Sequence, residues 1–120
     1  MPQITAKATD SPAGPACVVT FGNPKLVETA TINAAGELLT GLLEKKMQRR
    51  IVLDFDGVTS VSSAMIGELI RLHTKLTNVP GGKLVICNFD TRMAQLLKMT
   101  KLDKVLAMAD DVDGALAQFK

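Results

Sequence analysis

Residues 51–76 read IVLDFDGVTSVSSAMIGELIRLHTKL, and the reading of this stretch decides the fold. Residues 51–55 form a short, almost continuous apolar run interrupted by Asp54. Such a run suits a central strand covered on both faces, as strands of parallel sheets are. Gly57 and residues 59–62 are loop-forming. From Ser63 to about Leu76 the apolar spacing becomes helical, with Ile66, Leu69, Ile70, His73 and Leu76 expected to face inward. Residues 78–82 (NVPGG) are a strong helix stop.

The flanking sequence repeats this alternation. Upstream, residues 3–9 alternate weakly, residues 11–14 read as a turn, and residues 16–21 as a buried strand ended by Gly22-Asn23-Pro24. Together they predict an N-terminal hairpin. A helix follows over about 28–48, with Ile32, Ala35, Leu38, Leu39, Leu42 and Leu43 on one face. Gly36 and Gly41 weaken it. Downstream, residues 83–87 form the next strand. Asp90 is placed to N-cap a third helix carrying Met93, Leu96, Leu97 and Thr100. Residues 105–108 suit a short last strand, and Asp110 or Asp111 caps a terminal helix with Val112, Ala115, Leu116 and Phe119 on its apolar face. The order β-β-α-β-α-β-α-β-α implies an α/β fold, helices packed on a mixed, mostly parallel sheet. In such sheets sites form at the carboxyl ends of strands, which points to residues 57–65.

The totals restrict the classes of function. The 120 residues suffice for one domain, expected to span 1–120. With 47% hydrophobic and 22% charged residues the composition is that of a globular chain with a real core. No apolar run approaches the roughly 20 residues needed to span a bilayer, and MPQITAKATDSP lacks the apolar core of a secretory signal, so a cytoplasmic location is expected, without membrane insertion. Cys17 and Cys87 sit in apolar strand-like runs and read as buried, reduced thiols. A net charge of +2 is too mild to argue for nucleic acid. The dense basic group Lys45, Lys46, Arg49 and Arg50 stands where a helix should end, where cations offset the dipole. With no Trp, no Tyr and four Phe there is little surface for stacking bases.

Few residues invite catalysis. The single histidine, His73, lies among apolar neighbours on the inward helix face and reads as a packed or hydrogen-bonded core residue, since no nucleophile can be placed beside it. There is no phosphate-cradling glycine loop. Asp54 and Asp56 share a strand face and suit a metal or phosphoacceptor site. A receiver-like domain, however, needs an acidic pair after its first parallel strand, where this chain has Phe21-Gly22-Asn23; a structural role is the stronger reading. No metal, cofactor or catalytic residue is expected, and the chain is read as a non-enzyme. The hydroxyl cluster Thr59, Ser60, Ser62 and Ser63 has two readings. One is a polar loop in which Ser62 or Ser63 is simply an N-cap. The other is a phosphorylation target, favoured by the free amides and dipole of a helix start. On physical grounds alone the capping reading is ahead.

The order of elements and the wording of residues 51–76, with GGKLVICNFDTRMAQLLKMTKLDKVLAM at 81–108, resemble the STAS family, the sulfate-transporter and anti-sigma-factor-antagonist domain. The resemblance is good over about 50–108 and loose in the N-terminal third, where Gly22 stands for the glycine ending the second strand and Asn23 for an acidic residue. It implies a bacterial anti-sigma-factor antagonist or close relative, binding a serine-kinase anti-sigma factor and turned off when that kinase phosphorylates it. Laid over the family's Asp-Ser-Ser-Gly type motif, Ser62 takes the aspartate position, Ser63 that of the phosphoserine, Ala64 the second serine and Met65 the glycine. The implied phosphoacceptor is Ser63, with Ser62 secondary. The implied partner face comprises Thr59, Ser60, Ser62, Ser63, Ala64, Met65 and Gly67. Met65 is either an apolar anchor for the partner or a core residue in step with Leu69, Leu72 and Leu76. Two other classes stay open: a scaffold or transporter-accessory subunit not regulated by phosphorylation, and a sensor of a small ligand.

Overall fold

The computed structural model describes residues 4–12, 14–21, 25–26, 29–44 and 49–119. The N-terminal segment folds back as expected: β1 (Ile4–Ser11) pairs antiparallel with β2 (Gly14–Phe21), Ile4 opposite Phe21 and Ser11 opposite Gly14. Two short pieces and two helices surround the next strand: β3 (Lys25–Leu26), α1 (Thr29–Glu44), β4 (Arg50–Asp54), β5 (Ser60–Val61) and α2 (Ser63–Thr77). The chain continues through β6 (Lys83–Cys87), α3 (Thr91–Met99), a 3-10 turn (Leu102–Lys104), β7 (Ala107–Ala109) and α4 (Val112–Ala117). The five-stranded sheet has the order β1-β2-β4-β6-β7, parallel except for the β1–β2 pair. Residues 22–24 and 45–48, which the sequence reading used to end a strand and a helix, lie outside the described residues.

The continuous apolar run of β4 is explained by its place. It is the middle strand, and Ile51, Val52 and Leu53 are all fully buried because both faces are covered. On one face Ile51 and Leu53 join Val19, Leu84 and Ile86 beneath α1, α2 and α3. On the other, Val52 and Val85 meet Ala115 and Phe119 of the α4 segment. Phe55 continues β4 into the first core and stacks on Phe21, with ring centroids 5.0 Å apart.

Three sequence readings shift. On α2 the buried stripe is Met65, Ile66, Leu69, Leu72 and Leu76, whereas Ile70 is exposed and His73 only half-buried. The i, i+4, i+3, i+4 spacing from Met65 to Leu76 fills the groove facing the sheet and turns Ile70 outward. Nor is His73 hydrogen-bonded at Nδ1, which is buried without a partner among the described residues. The last strand begins two residues later than predicted: Leu102 and Leu106 bury, and Val105 is left exposed before β7 starts at Ala107. Finally, the polar loop after β4 contains β5, which pairs in parallel with β3 in a separate two-stranded sheet. Among the described residues no helix is long and apolar enough to cross a membrane.

Candidate functional site

The site grows from the end of β4. The amide of Phe55 donates to the Cys87 carbonyl (3.0 Å), extending the β4–β6 ladder by one rung. A β-turn follows, closed by Val58 N–H donating to the Phe55 carbonyl at 2.9 Å. Gly57, at its third position, has φ of 82°, the left-handed conformation that a type II turn requires there. Asp54 braces this corner: its Oδ1 accepts from the Asp56 amide (3.0 Å) and from Asn88 Nδ2 (2.9 Å). The Asn88 amide in turn donates to the Asp110 carbonyl at 3.3 Å, so the ends of β4, β6 and β7 are tied together. Asp54 therefore has the structural role, and no group of three or more His, Cys, Asp or Glu suited to a metal occurs among the described residues.

Beneath this bracing lies Cys87, fully buried. Its thiol is pushed up to about 12, first by burial and then by the nearby Asp54 and Asp111 carboxylates, all of which disfavour a thiolate. Both cysteines are buried and neither forms a disulfide, as the sequence implies.

From the turn the chain runs outward. Phe55 and Val58 anchor the loop in the core, while Thr59 is exposed and Ser60 and Val61 are half-buried in β5. Ser62 has the extended backbone of an N-cap (φ −83°, ψ 165°), and its Oγ accepts from the Met65 amide at 3.3 Å. Of the two adjacent hydroxyls, Ser62 is the one engaged in capping. Ser63 is the first residue of α2 and is exposed, as are Ala64 and Gly67. A side chain built on Gly67 would meet no atom within 4 Å, so this surface is open to close approach. Met65 stands apart from the cluster: it is completely buried, in the core with Leu69 and Leu76. Of its two sequence readings the structure takes the core one; of the predicted partner face Thr59, Ser63, Ala64 and Gly67 are exposed, and Ser60 and Ser62 are half-buried.

One neighbour escaped the sequence reading. A pocket of about 210 Å³ opens between the β5 loop and α3, lined by Val58, Thr59, Ser60, Arg92 and Met93 among others. Asp90 caps α3 as predicted, its Oδ1 accepting from the Met93 amide at 2.9 Å, and this cap fixes Arg92 in the first turn. The cap is legible in the sequence. The packing of that helix start against β5 is tertiary and leaves no local mark.

Compared with known proteins, the chain matches the STAS domain over residues 5–115. It is similar in structure to an anti-sigma-factor antagonist (STAS) domain protein from Planctomyces limnophilus, with a TM-score of 0.76 and 18% identity, covering 92% of this chain and 93% of that one. An anti-sigma factor antagonist from Mycobacterium paratuberculosis superposes with a TM-score of 0.71 at 22% identity, covering 95% and 92%. The anti-sigma factor antagonist SpoIIAA in its unphosphorylated form gives 0.69 at 11% identity, covering 92% and 91%.

Proposed function

Because the chain belongs to the STAS domain family, we propose that it is a non-catalytic signalling protein of the bacterial cytoplasm, acting as an anti-sigma-factor antagonist. In this reading it binds a serine-kinase anti-sigma factor through the surface of residues 59–67, and phosphorylation of Ser63 releases it. The observation that carries the reading is the division of labour at the start of α2: Ser62 caps the helix, leaving the Ser63 hydroxyl exposed and uncommitted. Transfer of the γ-phosphoryl group of ATP to Ser63 Oγ releases ADP and the hydroxyl proton. The product carries a charge of about −1.5 to −2 at a helix start, where the dipole stabilises it and an opposing partner face is repelled. That relatives include an antagonist described in an unphosphorylated form supports the same reading. The pocket beside Arg92 fits a partner side chain inserted next to the switch.

The test compares wild type, Ser63→Ala and Ser63→Asp. Wild type is expected to retain a serine-kinase-like protein from native lysate and Ser63→Asp to lose it, with phosphate mapping to Ser63 by mass spectrometry. Phosphorylation of Ser63→Ala as readily as wild type by a kinase that recognises the protein would refute the assignment. Equal retention of one non-kinase partner by wild type and Ser63→Asp would make the domain a scaffold.

A further inference from the structure

Charge is unevenly placed along the strand direction, with Arg92 at the finishing end and Asp10 at the starting end as exceptions. Since β2, β4, β6 and β7 are parallel, the sheet has one end where strands finish and another where they start. Asp54 ends β4, and Asp56, Asp90, Asp110 and Asp111 follow strand ends, at the same end as Ser63. Arg49, Arg50 and Lys83 stand where β4 and β6 begin. Lys98, Lys101 and Lys104 crowd the connection from α3 into β7, also at the starting end.

At that basic end the apolar surface is exposed. Met99 is 80% exposed and Val105 52%, the most exposed large apolar side chains among the described residues. Lys98, Lys101 and Lys104 around them are exposed, and among the described residues none of the three is held in an ion pair. Asp103, the one carboxylate in this stretch, is half-buried. Lys101 also adopts a left-handed backbone (φ 62°) just after the α3 cap residue Thr100, the position where glycine is favoured. A strained lysine where glycine would relax the chain is a feature that points to use of its side chain.

We propose that this end of the molecule docks on an anionic lipid bilayer, Met99 and Val105 entering the interface and Lys98, Lys101 and Lys104 facing the headgroups. The shape of the patch selects this occupant. Met99 protrudes, and neither the pocket beside Arg92 nor the one between α1 and α2 includes it. A rigid protein partner would have to supply the matching hole, and a nucleic-acid backbone offers nothing to bury a methionine. A bilayer accepts a protruding apolar side chain without complementary shape, and lysines suit a diffuse negative surface. Ser63 lies at the opposite end of a molecule about 32 Å in its longest dimension, so docking leaves the switch surface facing solution. The inference is independent of the proposed phosphoswitch.

Each lysine near an anionic surface is worth roughly a fivefold gain in binding, and three together about a hundredfold. The test is flotation of the full chain with phosphatidylcholine vesicles with and without phosphatidylglycerol. Wild type is expected to float with the anionic vesicles only and to be released as salt rises. The triple variant Lys98→Gln/Lys101→Gln/Lys104→Gln is expected to lose about a hundredfold in apparent affinity. Met99→Ser, with every charge kept, is expected to lose roughly tenfold. Lys101→Gly weakens binding while raising the melting temperature, so misfolding cannot account for its loss. Failure to float, equal flotation on neutral vesicles, or unchanged binding by Met99→Ser would overturn the proposal. Tighter retention on polyglutamate or duplex DNA than on anionic vesicles would also overturn it, assigning the patch to an acidic protein or a nucleic acid.

Discussion

Two adjacent serines are assigned opposite tasks, and stability measurements separate them. The Ser62 hydroxyl satisfies the Met65 amide, one of the donors that a helix start leaves unpaired. Replacing such a cap with alanine lowers stability by about 0.5–2 kcal/mol. The 3.3 Å separation is at the long end for an N–H···O bond, which places Ser62→Ala in the lower half of that range, near 1 kcal/mol. The penalty is felt globally, because α2 contributes Met65, Ile66, Leu69, Leu72 and Leu76 to the core and cannot fray at its start without disturbing Met65. For a chain of 120 residues that loss corresponds to a fall of about 3–6 °C in the melting midpoint. Ser62→Asp keeps an acceptor and adds a charge favoured by the dipole, so it should melt at or above wild type. Ser63→Ala, at an exposed helical position, should stay within about 0.5 kcal/mol of wild type. Thermal and urea unfolding of the three variants, followed by circular dichroism, make the comparison. Should Ser63→Ala carry the loss and Ser62→Ala leave the midpoint unchanged, the roles are reversed and Ser63 is not free to accept phosphate.

Two further outcomes follow from Cys87 and Gly82. The unfolded Cys87 thiol titrates near 9.0 while the folded one is raised to about 12. Above pH 9 the unfolded chain therefore loses a proton that the folded chain retains. Its contribution is intact below pH 9 and declines by up to about 1.4 kcal/mol per pH unit as pH rises toward 12; urea midpoints of wild type and Cys87→Ala across this window should converge as pH rises. At Gly82 an added Cβ would collide with the Leu76 carbonyl and crowd Val79. Backbone cannot yield as a flexible side chain does, so Gly82→Ala should destabilise by more than about 2 kcal/mol in urea titrations, whereas Gly67→Ala, with open space around it, should not.

What the sequence discloses depends on whether a local signal exists. The central strand, the cap at Asp90 and the alternation of elements are written in runs of neighbouring residues, and the structure reproduces them; of the caps the sequence leaves open, it takes Ser62 over Ser63 and Asp111 over Asp110. The inward side of α2 is less legible. Ile66, Leu69, Ile70 and Leu72 crowd nearly half the helix circumference with apolar side chains, and only the packing against β6 and α1 selects the stripe through Leu72 over the one through Ile70. Met65 was ambiguous for the same reason: its spacing matched the core, while the motif position it occupies suggested exposure. Pairing of β3 with β5 joins segments 35 residues apart through two residues each, too few for any periodicity to register. The surface hydroxyls were evident from composition; the neighbour Arg92 was not, because its nearness to Ser60 depends on how α3 lies against the loop.

That small pairing has a thermodynamic consequence. A parallel ladder of two residues per strand, detached from the main sheet, contributes little to global cooperativity. The β5 residues Ser60 and Val61 can thus open and close as a unit of their own, while Leu53 and Ile86 stay locked in the central sheet. Amides at Ser60 and Val61 would exchange with solvent through such local openings, and those of the central strands only through complete unfolding. On the proposed assignment of Ser63, a partner would meet a lip that can loosen and re-form many times in the life of a single folded chain.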